Sequence, residues 1–145
     1  MNVRRSVSER VAGDAAIRAA AEAALAHGGR PGLGVDVILV SDRALAALHA
    51  QFLGDPSPTD VIAFDLGAEG ESPAAEIYVS VDCARRVARA RGVSAERELL
   101  LYVVHGALHL CGYDDHADAE RKRMRAAEAR VLHALGQPPD PGPHP

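Results

Sequence analysis

Cysteine is scarce in this 145-residue chain, which has only Cys83 and Cys111. Two thiols cannot build a disulfide scaffold, and their plain reading is as small buried hydrophobes kept reduced in a cytoplasmic setting. Lysine is scarcer still: among 16 basic residues all but Lys122 are arginine, which suits phosphate forks but follows equally from an Ala- and Arg-rich codon bias. Positive charge is not in excess either. A formal net charge of −4 gives no global attraction to nucleic acid, so an RNA partner would have to meet a local basic patch, and no DNA partner is expected. No stretch approaches the ~20 apolar residues of a membrane span, and "MNVRRSVSERVAGD" at the N-terminus lacks the apolar core of a signal peptide. The expectation is a cytoplasmic protein with no membrane partner.

What is there suits one folded domain. Apolar residues make up 48% and charged residues 25%, which excludes a disordered or collagen-like chain, and the length supports a single core. The apolar spacing from Ser8 to His27 predicts a first helix, stopped by Gly28-Gly29. "LGVDVILV" (33–40) reads as a strand with a buried face, and Ser41 or Asp42 can cap the helix after it, which Gly54 ends. Two prolines make "GDPSPTD" a loop. "VIAFDL" (61–66) and "EIYVSV" (76–81) read as strands that can pair as a hairpin across the loop "GAEGESPA". Asp82 can cap a helix that runs to Arg91, and Ser94 with Glu96 opens the next, which carries "ELLLYVVHGALHLC". Met124, Ala127, Val131 and Leu135 stripe a last helix. The order predicts an α+β fold, a small mixed sheet packed with about five helices, in one domain over 1–136 with a disordered Pro-rich tail at 137–145.

The chemistry gathers in "HGALHLCGYDDH" (105–116). His105 and His109, four apart on a helix, rise from one face with Cβ atoms ~5–6 Å apart, close enough for two imidazoles to share one ion. A third ligand requires the helix to end, and Gly112 supplies the end by taking the left-handed conformation. Tyr113, Asp114, Asp115 and His116 can then curl beneath the ion, with His116 as third ligand and a fourth position for water. That is the open arrangement of a catalytic zinc, one per chain, and Asp114 or Asp115 can accept the second N–H of a ligand. The plain alternative is two partly buried histidines with ordinary hydrogen bonds.

These residues resemble the signature of the YbeY family of bacterial endoribonucleases, His-Gly-x-Leu-His-Leu-x-Gly-Tyr-Asp-His. "PTDVIAF" (58–64) is similar to the family's Pro-Thr-Asp-Val-Leu-Ser-Phe, and "EIYVSVDCARRVARARG" to its Gly-Asp-Ile-x-Ile-Ser strand and following helix. The resemblance covers about two thirds of the chain. It implies a zinc-binding domain shaped like the zincin and metzincin proteases, cutting single-stranded RNA and acting with the small ribosomal subunit in ribosomal RNA maturation and ribosome quality control. Two departures stand out. The family's third histidine falls at Asp115, with His116 one residue later, so either Asp115 is the third ligand or the loop carries one extra residue. His116 is preferred, because a neutral nitrogen keeps the charge of a three-histidine site. The family's Asn-x-x-Tyr-Arg becomes His49, Phe52 and Leu53, so no arginine stands there, and Arg85, Arg86, Arg89 or Arg91 are left as candidates for substrate phosphate contacts.

A zinc-activated water suits phosphodiester and peptide bonds alike. A zincin protease carries Glu directly after its first histidine, and here that residue is Gly106. With that Glu absent, the proton acceptor could be the metal hydroxide, Asp114 or a displaced histidine, and the catalytic assignment falls on His105 and Asp114. Thr59 and Asp60 read as loop residues, Asp60 standing behind the site at most. His27, His49, His133 and His144 read as surface or linker residues. A binding factor that holds RNA without cutting it, around a structural zinc, is the reading from another class.

Overall fold

The computed structural model describes residues 1–8, 10–54, 59–67 and 74–140. The proline loop before β3 and the loop that joins the hairpin lie largely outside the described residues. The elements run β1 (Val3–Arg5), α1 (Asp14–His27), β2 (Val35–Val40), α2 (Asp42–Leu53), β3 (Val61–Asp65), β4 (Ala75–Ser80), α3 (Val81–Arg91), α4 (Ala95–Leu110) and α5 (Asp118–Ala134). Among the described residues, five helices and a four-stranded mixed sheet make the α+β fold that the sequence predicts.

The sheet order is β1-β2-β4-β3, with β1, β2 and β4 parallel and β3 antiparallel along one edge. All six residues of β2 are buried, as its continuous apolar run requires of a central strand covered on both faces. Val35, Val37 and Leu39 enter the main core with Ile77 and Val79 of β4. Ile38 and Val40 face the other way, into a small cluster with Ile62 and Leu45 beneath α2.

Helix α4 runs through the main core. From Leu99 to Val104 every side chain is buried, and a helix apolar all round belongs inside. Gly106 lets it approach the sheet: a Cβ there would lie 2.8 Å from Ile77 Cγ2 and 3.1 Å from Val61 Cγ2, closer than packed atoms tolerate.

The caps follow the sequence closely. Ser41 accepts from Ala44 N–H and Ser94 from Arg97 N–H, while Gly54 ends α2 in the left-handed conformation. Two expectations need correction. Helix α1 starts at Asp14 behind Gly13 rather than at Ser8: residues 3–5 pair with β2 as a short parallel strand, and Arg5 at its end donates to Ala12 O and to the Asp14 carboxylate (both 2.7 Å), which ties the segment between them to the helix start. Ser80, not Asp82, caps α3, its hydroxyl accepting from Cys83 N–H. The tail is described as far as Asp140. Arg97 Nε donates to Pro138 O (2.8 Å), and Arg91, in a buried pair with Glu98 (3.1 Å), also holds the Asp140 carboxylate. No helix of the described residues is long and apolar enough to cross a membrane.

Candidate metal centre

Helix α4 delivers both histidines from its last two turns and then stops. Gly112 has φ +94°, Tyr113 N–H bonds back to Leu108 O (3.1 Å) and Gly112 N–H to His109 O (3.0 Å), the paired bonds of a Schellman end. The chain reverses there as the glycine in the signature implies. Tyr113 packs over the turn, 6.4 Å from the His27 ring and under the Arg123 guanidinium.

The reversal brings Asp115, not His116, to the histidine pair. His105 Nε2 and His109 Nε2 are 2.9 Å apart, and Asp115 Oδ2 lies 3.6 Å from the first and 4.0 Å from the second. Donors held tetrahedrally at ~2.0–2.1 Å from zinc are roughly 3.3 Å from one another, so these three atoms bracket the edges of one coordination shell. The donor set fits a single ion with an open position. His116, one residue on, has an 85% exposed side chain, with Nε2 3.2 Å from Asp114 Oδ1; it is grouped with Asp114 and Asp115 rather than with the histidine pair. Asp114 Oδ1 also accepts Asp115 N–H (2.7 Å), and Arg121 ties the carbonyls of Asp115 and His116 to α5. Asp114 thus shapes the loop that presents Asp115.

Glu128 of α5 was not singled out by sequence reasoning. Its side chain is 3% exposed, and Oε2 lies 2.6 Å from His105 Nδ1 while Oε1 accepts from Arg125 Nη1 (2.6 Å). The contact fixes the imidazole with its proton on Nδ1 and the Nε2 lone pair turned toward His109 and Asp115, as metal-binding histidines require. A signal was present. Glu128 falls on the apolar stripe of α5, four after Met124 and three before Val131, where a carboxylate has no reason to sit unless something inside pairs with it. Burial, then the neighbouring His105, lowers the pKa of His109 and favours the neutral, ligating form.

The histidine pair stands between two hollows. Behind His105 is a cavity of about 240 Å³, lined by Asp60, Cys83, Glu98, Tyr102, Asp115, Arg125 and Glu128 among others. Burial raises the pKa of both Cys83 and Tyr102, so the thiol and phenol stay protonated there. In front of His109 is a groove of about 390 Å³ between the ends of α2 and α4, running along β3 and lined by His49, Leu53, Val61, Ile62, Ala63, Asp65 and Leu110. Asp60, expected behind the site, faces the first hollow, and His49, expected on the surface, faces the second. Arg85, Arg86 and Arg89 are exposed on α3 and line neither; Arg86 pairs with Asp42 (2.7 Å), and Arg91 is taken by Glu98 and Asp140. The basic residue in the cavity is Arg125.

Comparison with known proteins agrees with this architecture. Residues 4–136 match the family model described as Endoribonuclease YbeY. Among curated proteins of that name, the Pelotomaculum thermopropionicum protein is 37% identical over 125 residues, covering 81% of this chain and 82% of the relative, and that of Chlorobium phaeovibrioides is 34% identical, covering 90% and 88%. An Anaeromyxobacter relative is 38% identical over 83% of this chain, which spans 64% of that protein's length. The solution structure of a Thermotoga maritima protein superposes with a TM-score of 0.59 at 27% identity, covering 98% of both chains. The fold, the histidine signature and the match over nearly the whole described chain place this protein in the YbeY endoribonuclease family.

Proposed function

We propose that the protein is a zinc-dependent endoribonuclease that cuts single-stranded RNA in small-subunit ribosomal RNA maturation and ribosome quality control. One zinc per chain is held by His105, His109 and Asp115. The observation that carries the reading is the convergence of these three donor atoms beside a cavity, with buried Glu128 fixing the tautomer of His105. Two nitrogens and one carboxylate oxygen with an open fourth position form a catalytic rather than a structural donor set. In this reading His105 serves as a ligand. His116 and Asp114 serve the loop.

A zinc ion bound there supplies a water acidic near neutral pH and a Lewis acid for a phosphoryl oxygen. The chain's own groups do the rest. Asp60, on the cavity wall beside His105, is placed to accept the proton of an attacking water, and Arg125 to meet phosphoryl charge. Arg85, Arg86 and Arg89 are left as outer contacts for flanking phosphates, reached along the exposed face of α3. A protease is disfavoured by Gly106. That position faces β3 and β4 rather than the cavity, so no side chain there could act as the base that zincins use.

The test is cleavage of a labelled single-stranded RNA by zinc-loaded protein, by protein stripped with a chelator, and by Asp60→Asn loaded with zinc. Cleavage that is lost on stripping, restored by zinc and depressed at least ~100-fold in the variant supports the reading. Binding of RNA by the loaded protein without any cleavage would replace it with a non-cutting assembly factor.

A further inference from the structure

The groove before His109 has a chemical character unlike that of the cavity. Strand β3 is a sheet edge, and its ladder with β4 runs through even-numbered residues: Leu66 N–H bonds Ala74 O and Ser80 N–H bonds Asp60 O, in the register that pairs Ile62 with Tyr78. Antiparallel strands alternate, so the N–H and C=O groups of Val61, Ala63 and Asp65 point away from β4 toward the open edge. All three residues line the groove, together with Ile62 of the same strand. The Thr59 hydroxyl meets Val61 O (3.4 Å), which leaves Ala63 presenting a donor and an acceptor side by side at the groove's middle.

The wall opposite is apolar and exposed. Phe52, Leu53 and Leu66 are the large apolar side chains exposed among the described residues, and two of them close α2 beside this groove, each 57% exposed. Next to Leu53 in sequence, Phe52 lies edge-on to Phe64 at 5.5 Å, and Phe64 to Tyr78 at 5.8 Å, so three of the chain's five aromatic rings stack beneath α2 in the small cluster that borders the groove through Ile62. A chain this poor in aromatics leaves one of its rings half in water at the end of α2, one residue before Leu53.

We infer that this groove is a nucleobase slot: one unpaired base lies against Leu53 with its edge on the Ala63 N–H and C=O, the next base meets Phe52, and the phosphate between them is set at the metal centre. The inference rests on the reading of the centre as an RNA-cutting site. Its support is continuity, since the His109 ring is both a wall of the groove and a donor of the centre. Unpaired bases bind by laying their π faces on apolar or aromatic side chains and their edges on fixed hydrogen-bonding groups, and a duplex cannot offer either. A hollow of this volume holds a small flat ligand. The slot accounts for single-strand selectivity without a basic surface.

The test uses zinc-loaded protein and a short single-stranded RNA with one cleaved bond, prepared intact and with an abasic nucleotide on either side of that bond. Binding is followed by fluorescence anisotropy on a cleavage-resistant phosphorothioate version, and cleavage on the ordinary one. Removing the base on one side should weaken wild-type binding and kcat/KM by about tenfold, while Leu53→Ala, which binds intact RNA less well, should lose most of that discrimination. Leu53→Met, which keeps an apolar surface, should retain it. Abasic and intact RNA behaving alike in wild type, or discrimination unchanged in Leu53→Ala, would overturn the slot while leaving the cleavage reading in place. Base-dependent binding without cleavage would overturn the cleavage reading and keep the slot. An extended peptide that binds in the groove and excludes RNA would overturn it in favour of strand addition.

Discussion

The two hollows on either side of the histidine pair are built on opposite principles. The cavity behind His105 is charged, and its two buried glutamates are paired: Glu128 with His105 and Arg125, Glu98 with Arg91. The groove before His109 is lined mostly by Leu53, Val61, Ile62, Leu110 and the backbone of β3, with His49 and Asp65 at its sides. The first arrangement holds chosen atoms in fixed positions, and the second offers surface to a ligand that brings its own polarity. The comparison teaches that one residue pair divides the labour of the site, with stringent placement on one side and permissive contact on the other.

Breaking the stringent side should have the largest effect. His109→Ala removes one of three donors, and the purified protein should lose its metal and its RNA cleavage together, measured by metal content and gel assay. Glu128→Gln should be milder. It keeps the shape but weakens the acceptor on His105 Nδ1, so zinc affinity should fall about 10–100-fold in a competition titration with a chromogenic chelator while the fold remains. If affinity is unchanged, Glu128 is a packing residue and the charged cavity has no part in the centre. Gly106→Ala probes the close approach of α4 to the sheet, and its methyl against Ile77 should cost about 1–3 kcal/mol in denaturant unfolding. Smallest of all, Arg86→Ala removes an ion pair whose partners are 59% and 39% exposed, and should change stability by no more than about 1 kcal/mol. A larger loss of RNA affinity in that variant would extend the substrate path from the groove to α3.

The readable parts of the fold were those whose cause is local. Ser41, Ser94, Gly54 and Gly92 mark helix ends because a hydroxyl or a missing Cβ solves a problem within a few residues. Strand β1 escaped because three residues, "VRR", carry too little alternation to stand out, and they extend only because β2 offers them a parallel edge. In the site, His105, His109 and the turn at Gly112 were legible from spacing on a helix. Beyond the glycine no period governs where side chains point, so of the neighbours Asp115 and His116 the first reaches the histidine pair and the second, more exposed, meets Asp114 instead. Glu128 and Ala63 were invisible for a further reason. Each acts through an element far away in sequence, the carboxylate across the α4 and α5 packing and the backbone groups through their place at the edge of a sheet.

The central claim is that the loop after Gly112 offers Asp115 to the ion and turns His116 away. Metal content by mass spectrometry on wild type, Asp115→Ala and His116→Ala, purified alike and loaded with zinc, tests it most directly. About one zinc per chain in wild type and in His116→Ala, with loss in Asp115→Ala, is the predicted result. Zinc retained in Asp115→Ala and lost in His116→Ala would contradict it and return the third ligand to the histidine.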